Sequence, residues 1–471
     1  MNKKFYITTP IYYVNARPHI GHAYTSIAAD VLARYHKIIN DKVFFLTGTD
    51  EHGAKIEQAA QKKNKSVKEF CDENAENFKK TAKALNVNYD KFIRTTDKEH
   101  EEAVKKALNV LYEKGFIYKG EYEGLYCVDC EQYKSKNDLV NGKCADHQKE
   151  PELMKEESYF FKLSSFENEI KEKIESDEFE IKPEERKNEV LSFLKGGLQD
   201  ISISRKNVKW GISLPFDNKF TAYVWVDAFL NYLTGIKWNG EPKKVLEFWP
   251  PSVQLMSKDI LRVHATIWPA MLLALEISLP KKLFIHGYFT IDGQKMSKSL
   301  GNVIWPEDLI EKFGVDATRY LLLSACVFGK DGDISLDKLK EKYNADLAGG
   351  IGNLVSRVRA MAEKKQILSH EQISNSNLQI ELDKTWKIWK DSLDEFKFNE
   401  CLNSIWKLIS FCDKYIEKER PWERPDKEQT IIISDLLLVI NNIAQLLKPF
   451  LPETSEKILS KEKKILFPKI D

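Results

Sequence analysis

The chain has 471 residues, a formal charge of +1 and 42% hydrophobic residues, which fits about three structural units, each able to bury a core. No apolar run approaches the roughly 18 residues needed to span a bilayer, so the composition argues against a membrane role. The seven cysteines are odd in number and three of them (Cys127, Cys130, Cys144) share one short segment, a pattern that excludes a disulfide framework and favours a metal site.

Met1 to Ile7 runs directly into strand-like sequence without an apolar targeting segment, which makes the cytoplasm the expected compartment. Phe5 to Ile11 and Val43 to Thr47 read as buried strands, and the alanine-rich stretch from His22 to Tyr35 as the helix between them. Such a unit binds nucleotides at the carboxyl ends of parallel strands, where Thr9 to Tyr13 and Thr47 to Asp50 would share one crevice. Residues 54 to 114 are helical in pattern, and from Gly115 a segment rich in Tyr, Gly and Cys opens an insertion. Strand-compatible apolar sequence returns at Phe220 to Val226. A long helix is expected from Lys258 to near Ala274, and Lys282 to Thr290 reads as a last buried strand. From Asp346 onward Trp386 and Trp389, Leu402, Ile405, Trp406 and Ile409, and Leu436, Leu437, Ile440, Ile443 and Leu447 recur at helical spacing, which predicts a helix bundle. Residues 346–471 hold 20 Lys and Arg against 20 Asp and Glu, so any nucleic-acid surface there is local.

The expected fold class is therefore α/β. A Rossmann-like parallel-sheet domain (1–115 and 222–290) is split by an insertion at 116–221 that contains a zinc knuckle (127–147). A connecting region at 291–345 and an all-α bundle at 346–471 follow.

Two short stretches carry phosphate chemistry. Pro18-His19-Ile20-Gly21-His22 puts two imidazoles and a glycine where the first strand hands over to the helix, and Lys295-Met296-Ser297-Lys298-Ser299 puts two ammonium groups on a Gly/Ser loop. His19 and His22 are donors beside a helix amino terminus, Gly21 permits close backbone approach, and Lys295 and Lys298 are cations; together they suit a polyphosphate. Each stretch alone also fits a bland role, a helix cap or a solvated loop. Cys127-x-x-Cys130, thirteen residues, then Cys144-x-x-His147 gives paired ligands at tight-turn spacing, suited to one tetrahedral structural Zn2+.

With both phosphate motifs in this order, the chain resembles the class I aminoacyl-tRNA synthetases, and among them the methionyl enzymes of bacterial or organellar type. The resemblance covers essentially the whole length. It rests also on Thr8-Thr9-Pro10-Ile11-Tyr12-Tyr13-Val14-Asn15, Gly48-Thr49-Asp50-Glu51-His52-Gly53, Tyr223-Val224-Trp225-Val226-Asp227-Ala228, Lys258-Asp259-Ile260 through His264 to Trp268-Pro269-Ala270, and His286-Gly287-Tyr288. It implies that ATP, with Mg2+, and L-methionine condense to methionyl adenylate and pyrophosphate, and that the methionyl group then passes to the terminal adenosine of initiator and elongator tRNA(Met). On that resemblance Asn15, His19, Gly21, His22, Lys295 and Lys298 bind ATP, with the two histidines and two lysines catalytic. Ile11, Tyr13, Asp50, Trp225, Ala228, Tyr232, Ile260, His264 and Trp268 form the methionine pocket, in which Asp50 holds the substrate ammonium and Arg205 lies on the carboxylate side. Aromatic walls suit a flexible thioether, at roughly 0.3–1.5 kcal/mol per sulfur contact; core packing is the competing reading for Trp268, and a helix cap for Asp50. The region 291–345 becomes a KMSKS loop with a stem-contact region, and the bundle an anticodon-binding domain.

Asn353, Arg357 and Trp422 match anticodon-reading positions, where stacking and edge hydrogen bonds recognise loop bases. Each has an alternative: a helix cap, a solvated charge and a packed indole. The nearest rivals are enzymes for leucine, isoleucine, valine or cysteine. Only 272 residues separate His22 from Lys295, which leaves little room for the editing domain of the branched-chain enzymes, and the zinc ligands sit in a peripheral knuckle, not at a substrate thiol. A non-catalytic tRNA-binding relative is the rival from another class. No appended dimerising domain is recognised after the bundle, so a monomer is expected.

Overall fold

The structure, a computed structural model, describes residues 3–130, 132–134, 139–145, 147–206, 208–241, 246–296, 301–369, 371–460 and 465–471. Its centre is a six-stranded sheet built from β1 (Lys4–Tyr13), β2 (Lys42–Asp50), β3 (Lys91–Arg94), β4 (Glu180–Lys182), β5 (Val253–Ser257) and β6 (Lys282–His286), in the order β3-β2-β1-β5-β6-β4. Every pairing is parallel, and Phe5, Tyr6 and Ile7 in β1 are buried, as the near-continuous apolar run of a sheet covered on both faces requires. Helix α1 (Ile20–Ile38) connects β1 to β2, and Tyr13 pairs with Asp50 where the two strands end side by side.

The insertion forms its own antiparallel sheet from Ile117–Cys127, Gln132–Lys134, Glu152–Phe161 and Ile201–Ser202. Strand β4 lies inside the range drawn for that insertion, 116–221, yet pairs with β6 in the central sheet.

Local departures from the sequence expectations have physical causes. β3 interrupts the helical pattern of 54–114; only four residues long and two of them charged, it offers too short an alternation to be seen. The stretch ending at Val226 is not one strand: Asp217–Ala222 is extended, and α2 (Val224–Phe229) begins directly after Tyr223. The long helix expected from Lys258 is broken. A short 3₁₀ turn leads into α3 (Leu261–Ala265), Thr266 takes φ −125° and ψ −66°, and α4 (Ile267–Ala274) starts afresh. Pro269 explains the break, because it cannot donate to the carbonyl four residues back and is tolerated in the first turn of a new helix. Likewise β6 stops at His286, and Phe289–Ile291 joins a separate small sheet with Gln294–Lys295 and Gly332–Ile334. Gly287 between them has no room for a side chain, since a Cβ would sit 2.3 Å from the Lys330 backbone.

Beyond α5 (Val315–Ser324) come the bundle helices, of which α6 (Asn353–Lys365), α7 (Phe398–Glu419) and α8 (Asp426–Leu447) are used below. α8 is long and apolar enough to cross a membrane, but Ile433, Leu436, Val439, Ile440 and Ile443 are buried inside the bundle. The bundle packs on α1: the Tyr35 ring meets Trp389 edge-on at 5.1 Å and its hydroxyl donates to Asp394 at 2.7 Å. A wholly buried Arg319 on α5 fastens this junction. It donates to the Asp30 carboxylate of α1 at 2.6 Å and to the carbonyls of Phe450 (2.8 Å), Pro449 (2.9 Å), Leu85 (3.1 Å) and Asn86 (3.3 Å).

Candidate active site

The ends of β1 and β2 and the start of α1 make one crevice. His19 is the N-cap of α1, and its Nδ1 accepts from the Gly21 amide at 3.0 Å; the His22 Nδ1 accepts in turn from the His19 amide at 3.1 Å. The two rings lie 3.9 Å apart. A nitrogen that accepts carries no proton, so each neutral ring bears its hydrogen on Nε2. Capping and phosphate binding, alternatives in the sequence, are thus compatible in one geometry. Gly21 has a reason beyond ligand approach: a Cβ there would lie 2.8 Å from His19 Cε1 and push the capping ring away. Asn15 is exposed on the turn before this helix.

The flanks of the second motif reach the same helix. Upstream, the hairpin Phe289–Ile291 and Gln294–Lys295 turns at Gly293, whose amide donates to Asp333 at 2.6 Å; Thr290 donates to the same carboxylate at 2.8 Å. With Lys338 as its ion-pair partner, Asp333 is held low, at about 2. Downstream, Ile304 accepts from the Ile20 amide at 3.3 Å, and the Arg17 guanidinium lies over the Trp305 ring at 3.7 Å. Lys298 and the side chain of Lys295 lie outside the described residues. His286, recognised in the sequence only as part of a motif, is buried and donates through Nδ1 to the Gly287 carbonyl, so its Nε2 accepts from Thr25 of α1 at 2.7 Å. Burial pushes this histidine below its ordinary range.

Next to the crevice stands an aromatic group from α2, α3, α4 and the turn Asn231–Thr234. Tyr232 and His264 are 2.9 Å apart, and the His264 Nδ1–H donates to the Ile260 carbonyl at 2.9 Å. His264 Nε2 must therefore accept, and Tyr232 is the donor. Burial lowers His264 to about 4, despite the opposing effects of the Ile260 carbonyl and Asp259, so it is neutral near pH 7. Trp225 meets His264 edge-on at 6.1 Å, and Tyr232 and Trp268 lie 5.7 Å apart. Ala228 is buried on the same turn of α2; Ile11, Tyr13, Asp50, Trp225 and Ile260 are half-buried. Trp268 is fully buried and donates to Gln254 at 3.1 Å. Arg205 donates to the Ser204 carbonyl at 2.8 Å and lies over the Tyr223 ring at 4.4 Å, one residue before α2.

Two buried networks here were not anticipated from the sequence. Glu51, wholly buried, receives two hydrogen bonds from Arg94 (2.7 and 2.9 Å) and others from Thr49 and Thr96. Asp227 is bonded by two imidazoles, His52 at 2.7 Å and His100 at 2.8 Å.

Cys127, Cys130, Cys144 and His147 offer ligand atoms that all lie within 4.8 Å of one another, with Cys130 Sγ 3.4 Å from Cys144 Sγ and 3.2 Å from His147 Nδ1. Zn–S bonds of about 2.3 Å at tetrahedral angles need such separations, so three thiolates and an imidazole fit zinc. The cluster sits in the insertion; Lys55, next to the crevice, donates to the Asp129 carbonyl between two of its ligands. In the bundle, Asn353 and Arg357 occupy successive turns of α6, Asn353 exposed and Arg357 paired with Asp413 of α7 at 3.3 Å. Trp422 lies just past the end of α7 and is 55% exposed, which removes the packed-indole alternative.

The sequence matches the family model described as tRNA synthetases class I (M) over residues 5–144 and 134–359, and that of the anticodon-binding domain of tRNA ligases over 377–469. It is 45% identical to the methionine–tRNA ligase of Clostridium tetani over 97% of this chain and 74% of that one. It is 41% identical to the Rickettsia bellii enzyme of the same name over 98% and 92%. Among solved structures, Mycobacterium tuberculosis methionyl-tRNA synthetase in complex with methionyl-adenylate superposes with a TM-score of 0.92 at 36% identity, covering 97% of this chain and 93% of that one. Parallel sheet, paired phosphate motifs and helical bundle agree with these matches, and the chain belongs to the methionine–tRNA ligases of the class I tRNA synthetases.

Proposed function

We propose that this chain activates L-methionine with ATP, giving methionyl adenylate and pyrophosphate, and then esterifies the terminal adenosine of initiator and elongator tRNA(Met). The observation that carries the reading is that the two flanks of the lysine motif both touch α1, Phe289 upstream against Tyr24, and Ile304 and Trp305 downstream at and just before its amino-terminal end, where His19 and His22 carry Nε2 hydrogens. The methionine carboxylate is already ionised at neutral pH and needs no strong base. It attacks the α-phosphorus, and the P–O bond to the pyrophosphate breaks. What the reaction needs is charge stabilisation, from His19 and His22 at the α-phosphate and from Lys295 and Lys298 at the departing pyrophosphate. Mg2+ bound with ATP supplies further charge neutralisation.

Asp50, at the end of β2 beside Tyr13, holds the substrate ammonium, and Arg205 serves the carboxylate side. The side chain enters between Ile11, Tyr13, Trp225, Ala228, Ile260 and the Tyr232–His264 pair. Since the Tyr232 hydrogen is given to a neutral His264, this pair presents no unsatisfied donor, and a thioether, a weak acceptor, leaves no polar group stranded. Trp268 backs that wall.

Zinc held by Cys127, Cys130, Cys144 and His147 is structural: it offsets thiolate charge and folds the knuckle over the acceptor end of the tRNA. Asn353, Arg357 and Trp422 read the anticodon. The protein works as a cytoplasmic monomer. Pyrophosphate exchange with each of the twenty amino acids tests the reading. Methionine alone should support it, and Lys298→Ala and Asp50→Asn should abolish most of it; exchange with valine or leucine in place of methionine would overturn it.

A further inference from the structure

The residues assigned to methionine come from two distant parts of the chain, and something must hold them in register. Asp50 ends β2, whereas Trp225, Ala228 and Tyr232 belong to α2 and the turn after it. Between them lies the buried carboxylate of Asp227. Its Oδ2 is 2.7 Å from His52 Nδ1 and its Oδ1 is 2.8 Å from His100 Nε2. His52 is two residues from Asp50, and Asp227 lies two residues after Trp225 and directly before Ala228; His100 stands on the helix Lys98–Glu113 and bonds Thr234 through Nδ1 at 2.8 Å.

Since a carboxylate only accepts, both imidazoles donate to it, and His100 Nδ1, if neutral, accepts from the Thr234 hydroxyl. Relative exposures of 4% for His52, 1% for Asp227 and 0% for His100 leave the group almost without water. Burial alone would lower His52, but Asp227, helped by Glu101 and Glu51, raises it above the ordinary histidine range. The same burial would raise Asp227, and the two imidazoles hold it below the usual carboxylate range. Two directional bonds on one carboxylate fix a position more tightly than apolar contact does, because sliding by about an ångström breaks them.

We infer that His52, Asp227 and His100 form a positioning clamp that sets the span between the ammonium site at Asp50 and the thioether wall at Trp225, Ala228 and Tyr232, and so selects the length of the amino-acid side chain. The inference rests on the methionine reading above and deepens it. A small shift of the wall relative to Asp50 misplaces a bound side chain while leaving the phosphate cradle at His19 and His22 in place, and misplacements of this size cost up to about 100-fold.

The test is methionine-dependent pyrophosphate exchange with full-length His52→Leu and His52→Asn. Leucine removes the donor; asparagine restores an N–H at the Nδ1 position. His52→Leu is expected to raise KM for methionine about tenfold, to change KM for ATP by less than about twofold, and to narrow the preference for methionine over ethionine; His52→Asn should recover most of that loss. If His52→Leu melts below the assay temperature, Thr234→Val, which removes only the hydroxyl bonded to His100, should give the same split at about threefold. The clamp is overturned if folded variants raise both KM values together, or neither, or if asparagine fares no better than leucine. Wild-type protein assayed alongside separates the two ideas: no exchange in the wild type defeats the methionine reading, whereas normal wild-type exchange with unsplit variants defeats the clamp alone.

Discussion

Replacing Arg319 with methionine tests how the bundle is joined to the helix that bears His19 and His22. The side chain is wholly buried, so a residue of similar length fills its space without a large cavity, and the cost is electrostatic. Five hydrogen bonds go, one to the Asp30 carboxylate and four to carbonyls of residues 85, 86, 449 and 450. Removing one partner of a buried ion pair costs about 3–5 kcal/mol. Asp30 keeps Arg34 at 2.7 Å and the Asn88 amide at 2.9 Å, which puts the charge contribution at or below the lower end of that range. The stranded carbonyls add about 1–3 kcal/mol each where water cannot reach them. With about 3 kcal/mol for the charge and about 1 kcal/mol for each of the three carbonyls that lose their donor, since Asn86 keeps Arg34 at 2.8 Å, the total is about 6 kcal/mol; at about 2–4 °C per kcal/mol for a cooperative unit of 150–250 residues this lowers the melting temperature by about 12–24 °C. Thermal melts followed by far-ultraviolet circular dichroism measure this directly. A double-mutant cycle with Asp30→Asn should show coupling of at least about 1 kcal/mol. A melting temperature within about 2 °C of wild type would refute the reasoning, since it would mean that water or a neighbouring donor already replaces the guanidinium.

Trp422→Ala should reduce tRNA charging by about tenfold or more while leaving pyrophosphate exchange and the melting temperature unchanged, because the indole is exposed and base stacking is worth about 1–3 kcal/mol; equal losses in both assays would show a folding defect. Metal analysis of zinc-replete protein should give one zinc per chain, and Cys144→Ser should lose the metal and charge tRNA poorly while retaining exchange; zinc bound equally well by the serine variant would exclude this ligand set. His264 has a folded-state value of about 4, below the ordinary 6.5, so its neutral form stabilises the fold above pH 6.5 and that stability falls as pH drops toward 4, by about 3 kcal/mol in all. His36 and His286 are also lowered and act in the same direction, so the difference between wild type and His264→Gln is the quantity to follow. Urea midpoints of the two proteins should converge as pH falls from 6.5 to 4.5, and a constant gap would show that His264 is not held neutral.

What could be read in the sequence was local, and what could not depended on distant partners. His19 and His22 stand three residues apart, and the four candidate metal ligands span one segment, so their spacing survives without knowledge of the fold. The Asp227 pairs join residues 175 and 127 positions apart, and nothing near Asp227, His52 or His100 announces them. The helix break at Thr266 is an intermediate case: Pro269 marked it, but the apolar stretch around it outweighed a single residue. Asp333 left no signal at all, since its role exists only once Gly332–Ile334 pairs with the hairpin of Lys295.

The aromatic residues show why a pocket is harder to read than a motif. Core packing and ligand binding ask for the same residue types at the same spacing, and Trp268 meets both descriptions, fully buried yet packed against Tyr232. Apolar character therefore does not separate the two roles; the direction of a hydrogen bond does. His264 bound to the Ile260 carbonyl has one nitrogen left, that nitrogen takes the Tyr232 hydrogen, and the wall becomes one that a sulfur-bearing chain can meet without a stranded donor. Tyr232→Phe separates these effects: it removes the hydroxyl but keeps the ring, so it should weaken methionine binding by only a few-fold if ring contact dominates, and by about tenfold or more if the engaged hydroxyl shapes the wall.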